Sequence, residues 1–295
     1  MPELPEVETV ARGLRLTLPG RRIASVRLGK TDFIDDPTAV EHELPAKTIV
    51  AVRRFGKFLL LDLESSEGAP GDSSLLIHLG MTGQLVTCQP EAPVAPHTHA
   101  FFVLDDGREL RYTDVRRFGR IAFLANGAHE AALGKLGLEP LEATEKQFAE
   151  KLRGRRAPIK SVLLNQHVLR GIGNIYADEG LWRARIHPVS IAANLSAKEA
   201  RRLYRAVQTV LNEAIRLRGS SVSDYVDAEG ERGEFQLRHR VYQREGKKCP
   251  RCGATIRRII VGGRSSHFCP KCQRAPREAK KSQAATQRGK KTKSR

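Results

Sequence analysis

The residues of this chain best suited to covalent chemistry stand at its beginning, in Met1-Pro-Glu-Leu-Pro-Glu-Val-Glu-Thr-Val10. A small second residue permits removal of Met1, which leaves Pro2 as a secondary amine beside the Glu3 carboxylate. An α-amino group titrates near about 7.7–8.0, so a useful fraction is a free nucleophile at neutral pH. Lysine, near about 10.4, needs burial or a cationic neighbour to reach the same state. Pro2 can therefore attack a carbon, with Glu3 and Glu6 close enough in sequence to move protons. The same residues also read as a helix start, because a proline in a first turn loses no hydrogen bond and acids there complement the helix dipole. On these ten residues alone the two readings stand even.

A second chemical signal is Cys249-x2-Cys252-x16-Cys269-x2-Cys272. Two such knuckles supply four thiolates for a closed tetrahedral zinc site, which has no open position for water and is therefore structural. Arg257, Arg258, Arg264 and His267 lie between the knuckles, giving a small β-hairpin with a basic edge suited to a nucleic-acid groove. The alternative is a ribbon used for protein contacts. In Leu169-Arg-Gly-Ile-Gly-Asn-Ile-Tyr-Ala-Asp-Glu179, glycines at a helix–turn–helix corner let the backbone approach a phosphate. Taken alone, Asn174 reads there as an N-cap. Thr113-Asp-Val-Arg-Arg-Phe-Gly119 sets two guanidinium groups beside a ring, a set able to grip phosphate and push between base pairs, or else a strand end with a core phenylalanine. Met81 is an apolar residue in a glycine-rich turn, which suits an exposed wedge, with burial in the core as the alternative. Lys57 alone is an edge-strand charge. His78, His97, His99 and Cys88 read as structural.

These groups need elements to hold them. Val7, Val10, Ala11, Leu14 and Leu18 recur at helical spacing over 4–18, and Pro19-Gly20 ends that helix. From about 21 to 125 the pattern turns to short strands: 23–28, 48–54, 57–63, 75–79 and 101–104, the last joined through Asp105-Asp106-Gly107 to 108–112 as a hairpin. Residues 65–74 and 89–96 read as loops. Beyond about 130 the chain is helical. Ala157-Pro158-Ile159 opens one helix, 174–182 forms another, and the Ser196–Glu199 capping box starts a long one ending near Arg218-Gly219. A polar loop, 220–233, leads to the cysteines. The boundary between the two patterns falls around 125–145.

The 295 residues carry 51 Lys and Arg against 33 Asp and Glu, a formal charge of +18 that belongs to a partner of a polyanion, nucleic acid first. Nine basic residues against Glu278 alone from Arg274 onward account for eight of these charges, so +10 remains on the rest. That tail reads as a solvated, disordered arm. Acids occupy the place of a secretory n-region and no run of 18 apolar residues exists, so neither a signal peptide nor a membrane span is expected. Four cysteines paired by spacing point to a reducing compartment.

Taken together, PELPEVETV, FGKFLLLDL, HLGMTG, TDVRRFG, GIGNIYADE and the zinc cysteines resemble, in order and over nearly the whole chain to about residue 273, the bacterial formamidopyrimidine-DNA glycosylase family. The resemblance implies an α+β chain: residues 1–130 as an N-terminal helix with an antiparallel β-sandwich, 131–235 as a helix–two-turn–helix domain with a base-capping loop, 236–273 as a four-cysteine zinc finger, and 274–295 as the basic tail. In the family, DNA lies in the cleft between the sandwich and the helical and zinc-finger part. Pro2 would be the nucleophile, Glu3 the acid/base at the sugar, Glu6 a supporting carboxylate, and Lys57 a phosphate contact that assists elimination. Met81, Arg116 and Phe118, with Arg117 beside them, would fill the gap left by a flipped base. Lys160, Asn174 and Arg264 would hold phosphates, and Ser221, Asp224 and Tyr225 lie in the capping loop. Val115 departs from the family, which usually has proline there.

The resemblance implies a bifunctional glycosylase and AP lyase of base excision repair. It would act on 8-oxoguanine and formamidopyrimidines in double-stranded DNA through a proline Schiff base and β,δ-elimination. One structural Zn²⁺, no organic cofactor, monomeric action and a cytoplasmic, nucleoid-associated location are expected. Two alternatives stand beside it. The related endonuclease VIII type acts on oxidised pyrimidines, but commonly has glycine at the place of Leu4 and a different wedge. A non-catalytic zinc-ribbon nucleic-acid-binding protein would need a blocked N-terminus.

Overall fold

The structure, a computed structural model, describes residues 2–65, 73–125, 128–222 and 224–276. The tail beyond residue 276, the middle of the 65–74 loop, and Met1 lie outside the described residues. The chain forms two compact units: residues 1–136 with 212–237, and residues 137–211 with 238–295. The 212–237 stretch, grouped by sequence with the helical domain, thus makes its contacts within the first unit.

In the first unit, helix α1 (Leu4–Thr17) precedes β1 (Ile23–Leu28), α2 (Pro37–Glu43), β2 (Thr48–Phe55), β3 (Phe58–Glu64), β4 (Ser73–His78), β5 (Gln84–Cys88), β6 (Thr98–Leu104), β7 (Glu109–Thr113), β8 (Arg120–Ala125) and α3 (His129–Leu133). The strands form two four-stranded sheets, in the orders β1-β6-β7-β5 and β2-β3-β4-β8, with every pairing antiparallel. One core joins both sheets to α1: Val7, Val10 and Leu14 pack with Phe102, Leu104 and Tyr112 of the first sheet and Leu59, Leu61 and Ile77 of the second. The apolar run of β3 is continuous because both its faces are covered. Leu59 and Leu61 face that core, while Leu60 packs with Leu76, Ala122 and Leu133.

The expected α1 and the strands at 23–28, 48–54, 57–63, 75–79, 101–104 and 108–112 all form, shifted at some ends by one to three residues. Strands β5 and β8 and helix α2 add to that set. The signal for α2 is present in the sequence: Asp36 caps it by accepting the Ala39 N–H at 3.0 Å, and Pro37 opens its first turn.

In the second unit, α4 (Glu145–Leu152), α5 (Ile159–Leu164) and α6 (Asn174–Ala184) precede α7 (Ala197–Arg216), whose last residues belong to the first unit. The capping box at the start of α7 forms as expected, with Ser196 N–H donating to Glu199 at 2.9 Å and Glu199 N–H to Ser196 Oγ at 3.3 Å. The expected hairpin is β9 (Arg257–Val261) paired with β10 (Arg264–Phe268). Trp182, Val241, Ile256 and the cysteines form a small separate core beside it. The Arg251 guanidinium lies 3.9 Å over the Trp182 ring.

Candidate active site and nucleic-acid contacts

Glu3 takes the N-cap position of α1 in extended backbone, and its N–H donates to Glu6 Oε2 at 2.8 Å while its side chain accepts the Glu6 N–H. This reciprocal pair is a capping box with a carboxylate in place of the usual hydroxyl. Pro2 is buried, and Glu3 and Glu6 are 2% and 1% exposed. The other oxygen of Glu6 accepts the Ser220 N–H at 2.7 Å, and its backbone carbonyl accepts the Tyr225 hydroxyl at 3.2 Å. Burial, and then the charge of Glu6, push the Tyr225 hydroxyl far up, which keeps it a donor. Gly219 is needed here: its φ is +81°, and a Cβ would lie 2.9 Å from Glu6 Cγ. The opening residues therefore form the expected helix start, and that start fixes the two carboxylates beside Pro2.

Glu8, which sequence reasoning passed over, ties this helix to the Lys57 turn. It accepts Arg54 Nε at 2.8 Å, Arg15 Nη1 at 3.0 Å and Arg12 Nε at 3.0 Å. Burial works against its charge, but Arg54 and Arg15 outweigh that and hold its carboxyl below the usual range. Arg54 also donates to the Gly56 carbonyl at 3.2 Å. Gly56 and Lys57 form the two-residue turn between the paired Phe55 and Phe58, and Lys57 is half-buried there. His78, across from Phe58, is lowered to about 4 by burial and then by the charge of Lys57. Its neutral ring accepts the Gly80 N–H on Nδ1 at 3.1 Å, the satisfied sheet role expected of it.

Met81 and Phe118 are apolar tips, 37% and 57% exposed, in two turns packed backbone to backbone. A Cβ on Gly80, at φ +58°, would meet the Phe118 carbonyl carbon at 2.4 Å, so only glycine permits the approach. The fully buried Asp114 joins the turns: it accepts the Thr82 hydroxyl at 2.5 Å, the Gly119 N–H at 2.9 Å and the Tyr112 hydroxyl at 3.3 Å. Thr82 Oγ1 in turn accepts the Arg116 N–H at 3.1 Å. Arg116 lies 4.7 Å over the Phe118 ring, whereas Arg117, at φ +53°, turns its guanidinium to Asp32 at 2.8 Å. Asp114 and Thr82, which order the two turns, are missed by sequence reasoning, although each sits inside a motif it singles out.

The second unit places its candidates differently. Asn174 is not a cap: Gly173 takes the cap position of α6 without a side-chain bond, and the buried Asn174 Oδ1 has no hydrogen-bond partner among the described residues. Gln166 shapes the glycine corner by accepting the Gly171 N–H at 2.8 Å and donating to the Ile172 carbonyl at 2.9 Å. Lys160, expected at a phosphate, is fully buried, with its ammonium donating to Asp178 Oδ1 at 2.7 Å and the Ser265 carbonyl at 2.5 Å. That corrects the expectation of a phosphate contact: burial is tolerated because the cation is paired, and the pair binds the hairpin to α5 and α6. Asp178 Oδ2 also accepts the His267 N–H at 2.8 Å. Glu179, fully buried, accepts the backbone N–H groups of Arg240, Val241 and Tyr242, each at 2.9 Å to one of its oxygens. Arg264 is exposed at the start of β10, beside exposed Arg257 and Arg258.

The ligand atoms of Cys249, Cys252, Cys269 and Cys272 lie within 4.8 Å of one another. Cys252 Sγ and Cys269 Sγ are 3.4 Å apart, too far for a disulfide and close to the edge of a tetrahedron with Zn–S bonds of about 2.3 Å. The residues fit one closed, structural zinc ion.

A β-sandwich with a buried Pro-Glu start, a helical unit with a glycine corner and a four-cysteine hairpin define the class of zinc-finger DNA glycosylases built on a helix–two-turn–helix domain. The chain belongs to the formamidopyrimidine-DNA glycosylase family, whose N-terminal domain matches residues 1–121 and whose H2TH domain matches 136–226; the zinc finger found in FPG and IleRS matches 246–275. It is 47% identical over 276 residues to a formamidopyrimidine-DNA glycosylase of Solibacter usitatus, covering 93% of this chain and all of that one. Among solved structures, it resembles the MutM (FPG) protein of Thermus thermophilus at 43% identity and a TM-score of 0.81, covering 93% of this chain and 100% of that one. It also resembles a Lactococcus lactis FPG mutant in complex with DNA containing Fapy-dG, at 36% identity and a TM-score of 0.85, with the same coverage.

Proposed function

We propose that Pro2 is the nucleophile of this DNA glycosylase and AP lyase, which acts on oxidised purines in duplex DNA in base excision repair. The observation that carries the assignment is the start of α1, where Pro2 is buried and both neighbouring carboxylates are fixed by the capping box. The target C1′ is inside a duplex, so the base must leave the stack at a cost of a few kcal/mol. Met81, Arg116 and Phe118 fill the gap, and contacts from Lys57, Asn174 and Arg264 to phosphates offset the cost. Arg117 adds to this face if it exchanges Asp32 for phosphate. The loop carrying Ser221, Asp224 and Tyr225 covers the extruded base.

With Met1 removed, the Pro2 nitrogen forms a bond to C1′ as the bond from C1′ to the base breaks, and the base leaves with the electron pair and a proton. Glu3 protonates O4′ as the sugar ring opens, and the nitrogen lone pair completes a C=N bond. Because the amine is secondary, that iminium is cationic, and it acidifies the C2′ protons. Loss of a C2′ proton expels the 3′ phosphate, and a second elimination expels the 5′ phosphate. Glu6 holds the helix start by bonding the Glu3 and Ser220 N–H groups. The four cysteines would hold zinc, which supplies the fold of the hairpin and takes no part in these steps. We place the functional domains at 1–130, 131–235 and 236–273, and the protein in the cytoplasm, with the nucleoid as its site of action; no helix among the described residues is long and apolar enough to cross a membrane.

Borohydride reduces an iminium to a stable amine, so it is expected to link the protein covalently to a duplex bearing 8-oxoguanine opposite cytosine. Pro2→Gly should lower trapping and strand cleavage by on the order of 10²-fold or more. Trapping at the wild-type rate in Pro2→Gly would show that the secondary amine of proline is not required for the adduct.

A further inference from the structure

Among the described residues of the 220–233 loop, the two ends are fixed by hydrogen bonds while Val222 and Asp224 are exposed. At one end, besides the bond from Ser220 to Glu6, Ser221 N–H donates to the Gln236 side chain at 2.9 Å. Ser221 Oγ donates to the Tyr225 carbonyl at 2.7 Å and accepts the Gly233 N–H at 2.9 Å, which closes the loop on itself. At the other end, the Asp227 carboxylate accepts the Glu229 and Glu231 N–H groups at 3.1 and 2.9 Å and pairs with Arg218. Val222 and Asp224 stand exposed between these anchors.

Strand β5 reaches this stretch from outside the loop. It is an edge strand, paired with β7 on one side, so its other edge is open to receive a backbone. Gln84 Nε2 donates to the Asp224 carbonyl at 2.5 Å, and Thr87 N–H donates to the Ala228 carbonyl at 3.0 Å. Gln84 stands three residues after Met81 and two after Thr82, whose hydroxyl is locked onto Asp114. The strand that holds the loop apex is therefore continuous with the turn that carries the Met81 wedge.

We propose that Gln84 is a positioning residue for recognition of the damaged base, tying the apex of the 220–233 loop to the wedge turn. The proposal rests on the reading that this loop covers the extruded base. An exposed apex must be ordered when it closes over a base, and a bond that orders it beforehand removes part of that entropic cost. The bond also sets the loop from the strand that follows Met81, so loop placement and wedge placement share one reference. A duplex with an abasic site presents no base to cover, so the chemistry at the sugar does not draw on Gln84.

The test compares two single-turnover rates on the zinc-loaded full chain: excision of 8-oxoguanine opposite cytosine, and cleavage of the same duplex carrying an abasic site. Their ratio cancels changes in general DNA affinity. Gln84→Glu keeps the shape but loses the donor and is expected to lower the ratio about five- to tenfold, the size of one lost hydrogen bond, with the abasic rate within about twofold. Gln84→Lys, which retains a long N–H donor, should keep the ratio near wild type. An unchanged ratio in Gln84→Glu, or an equal fall in both rates, overturns the proposal. A variant with residues 222–224 replaced by a single glycine separates the two levels. If it lowers the ratio while Gln84→Glu does not, the loop covers the base without help from Gln84. If it leaves the ratio unchanged, the capping reading fails and the proposal with it.

Discussion

Each unit buries a carboxylate against cations, and the two arrangements do different work. In the first, Arg12, Arg15 and Arg54 converge on the single carboxylate of Glu8, and Arg54 carries the contact on to the Gly56 carbonyl. What is fixed is the distance between the helix that starts at Pro2 and the turn that holds Lys57. In the second, the single carboxylate of Asp178 spreads its bonds over Lys160 and the His267 N–H, and Lys160 continues to the Ser265 carbonyl. What is fixed there is the hairpin that exposes Arg264. A buried pair is weak evidence for net stability, because desolvation opposes the Coulomb gain. Its value in both units is geometric: the buried charges hold still the groups proposed to act.

Removing one partner of the second pair is expected to have the largest effect. Lys160→Met leaves Asp178 charged and uncompensated and is expected to cost about 3–5 kcal/mol, read by urea unfolding of the zinc-loaded chain. The double variant Lys160→Met/Asp178→Leu should recover most of that loss, because both charges are then gone. A Lys160→Met protein of wild-type stability whose DNA affinity falls with a shallower salt dependence would instead return Lys160 to the phosphate contacts.

Arg264→Ala sharpens the same contrast from the exposed side. An exposed phosphate contact adds to affinity through counterion release and contributes little to folding. We expect DNA binding to weaken about tenfold, the slope of log K against log salt to become shallower by about 0.9, and the unfolding midpoint to stay within error. If Arg264→Ala and Lys160→Met behaved alike in both measurements, buried and exposed cations in this unit would not have separate roles.

Lys160 and Arg264 also mark where the sequence is legible and where it is not. Periodicity reveals α1, the apolar strands and the capping box of α7, and spacing reveals the four cysteines, because each pattern is local along the chain. Strand β5, Gln-Leu-Val-Thr-Cys, escapes such a reading because it is short and only Leu85 is fully buried, its other residues being half-buried, so its sequence carries little alternation. Nothing local distinguishes a lysine that will be sealed beneath a hairpin from one that will meet DNA; the difference lies in Asp178 and Ser265, 18 and 105 residues away. Asp114 and Glu8 are overlooked for the same reason. Each lies within a motif whose neighbours draw the chemical reading, and its own partners are distant or on another turn.

The gentlest break falls on the first unit. Glu8 and Glu179 are both buried acids, but they are held by different partners. Against the effect of burial, arginines hold Glu8 below its ordinary value near 4.5, while burial pushes Glu179 above its own against the pull of three backbone N–H groups. A carboxyl whose folded-state value is lowered contributes stability that is present above its unfolded value and is lost as pH falls through the folded one. Glu8→Gln keeps the shape and removes the charge, so its melting temperature should lie a few degrees below wild type at about pH 6–7. The gap should narrow as the pH drops below about 4.5, where the carboxyl of the unfolded chain begins to take up its proton while the folded one still resists. Because Glu8 positions Lys57 through Arg54 and Gly56, elimination at an abasic site should slow along with the loss of stability at about pH 7. A melting difference that stays constant down to low pH would mean that Glu8 acts through packing, and Arg12 and Arg15 would then be a solvated face of α1 rather than part of a clamp.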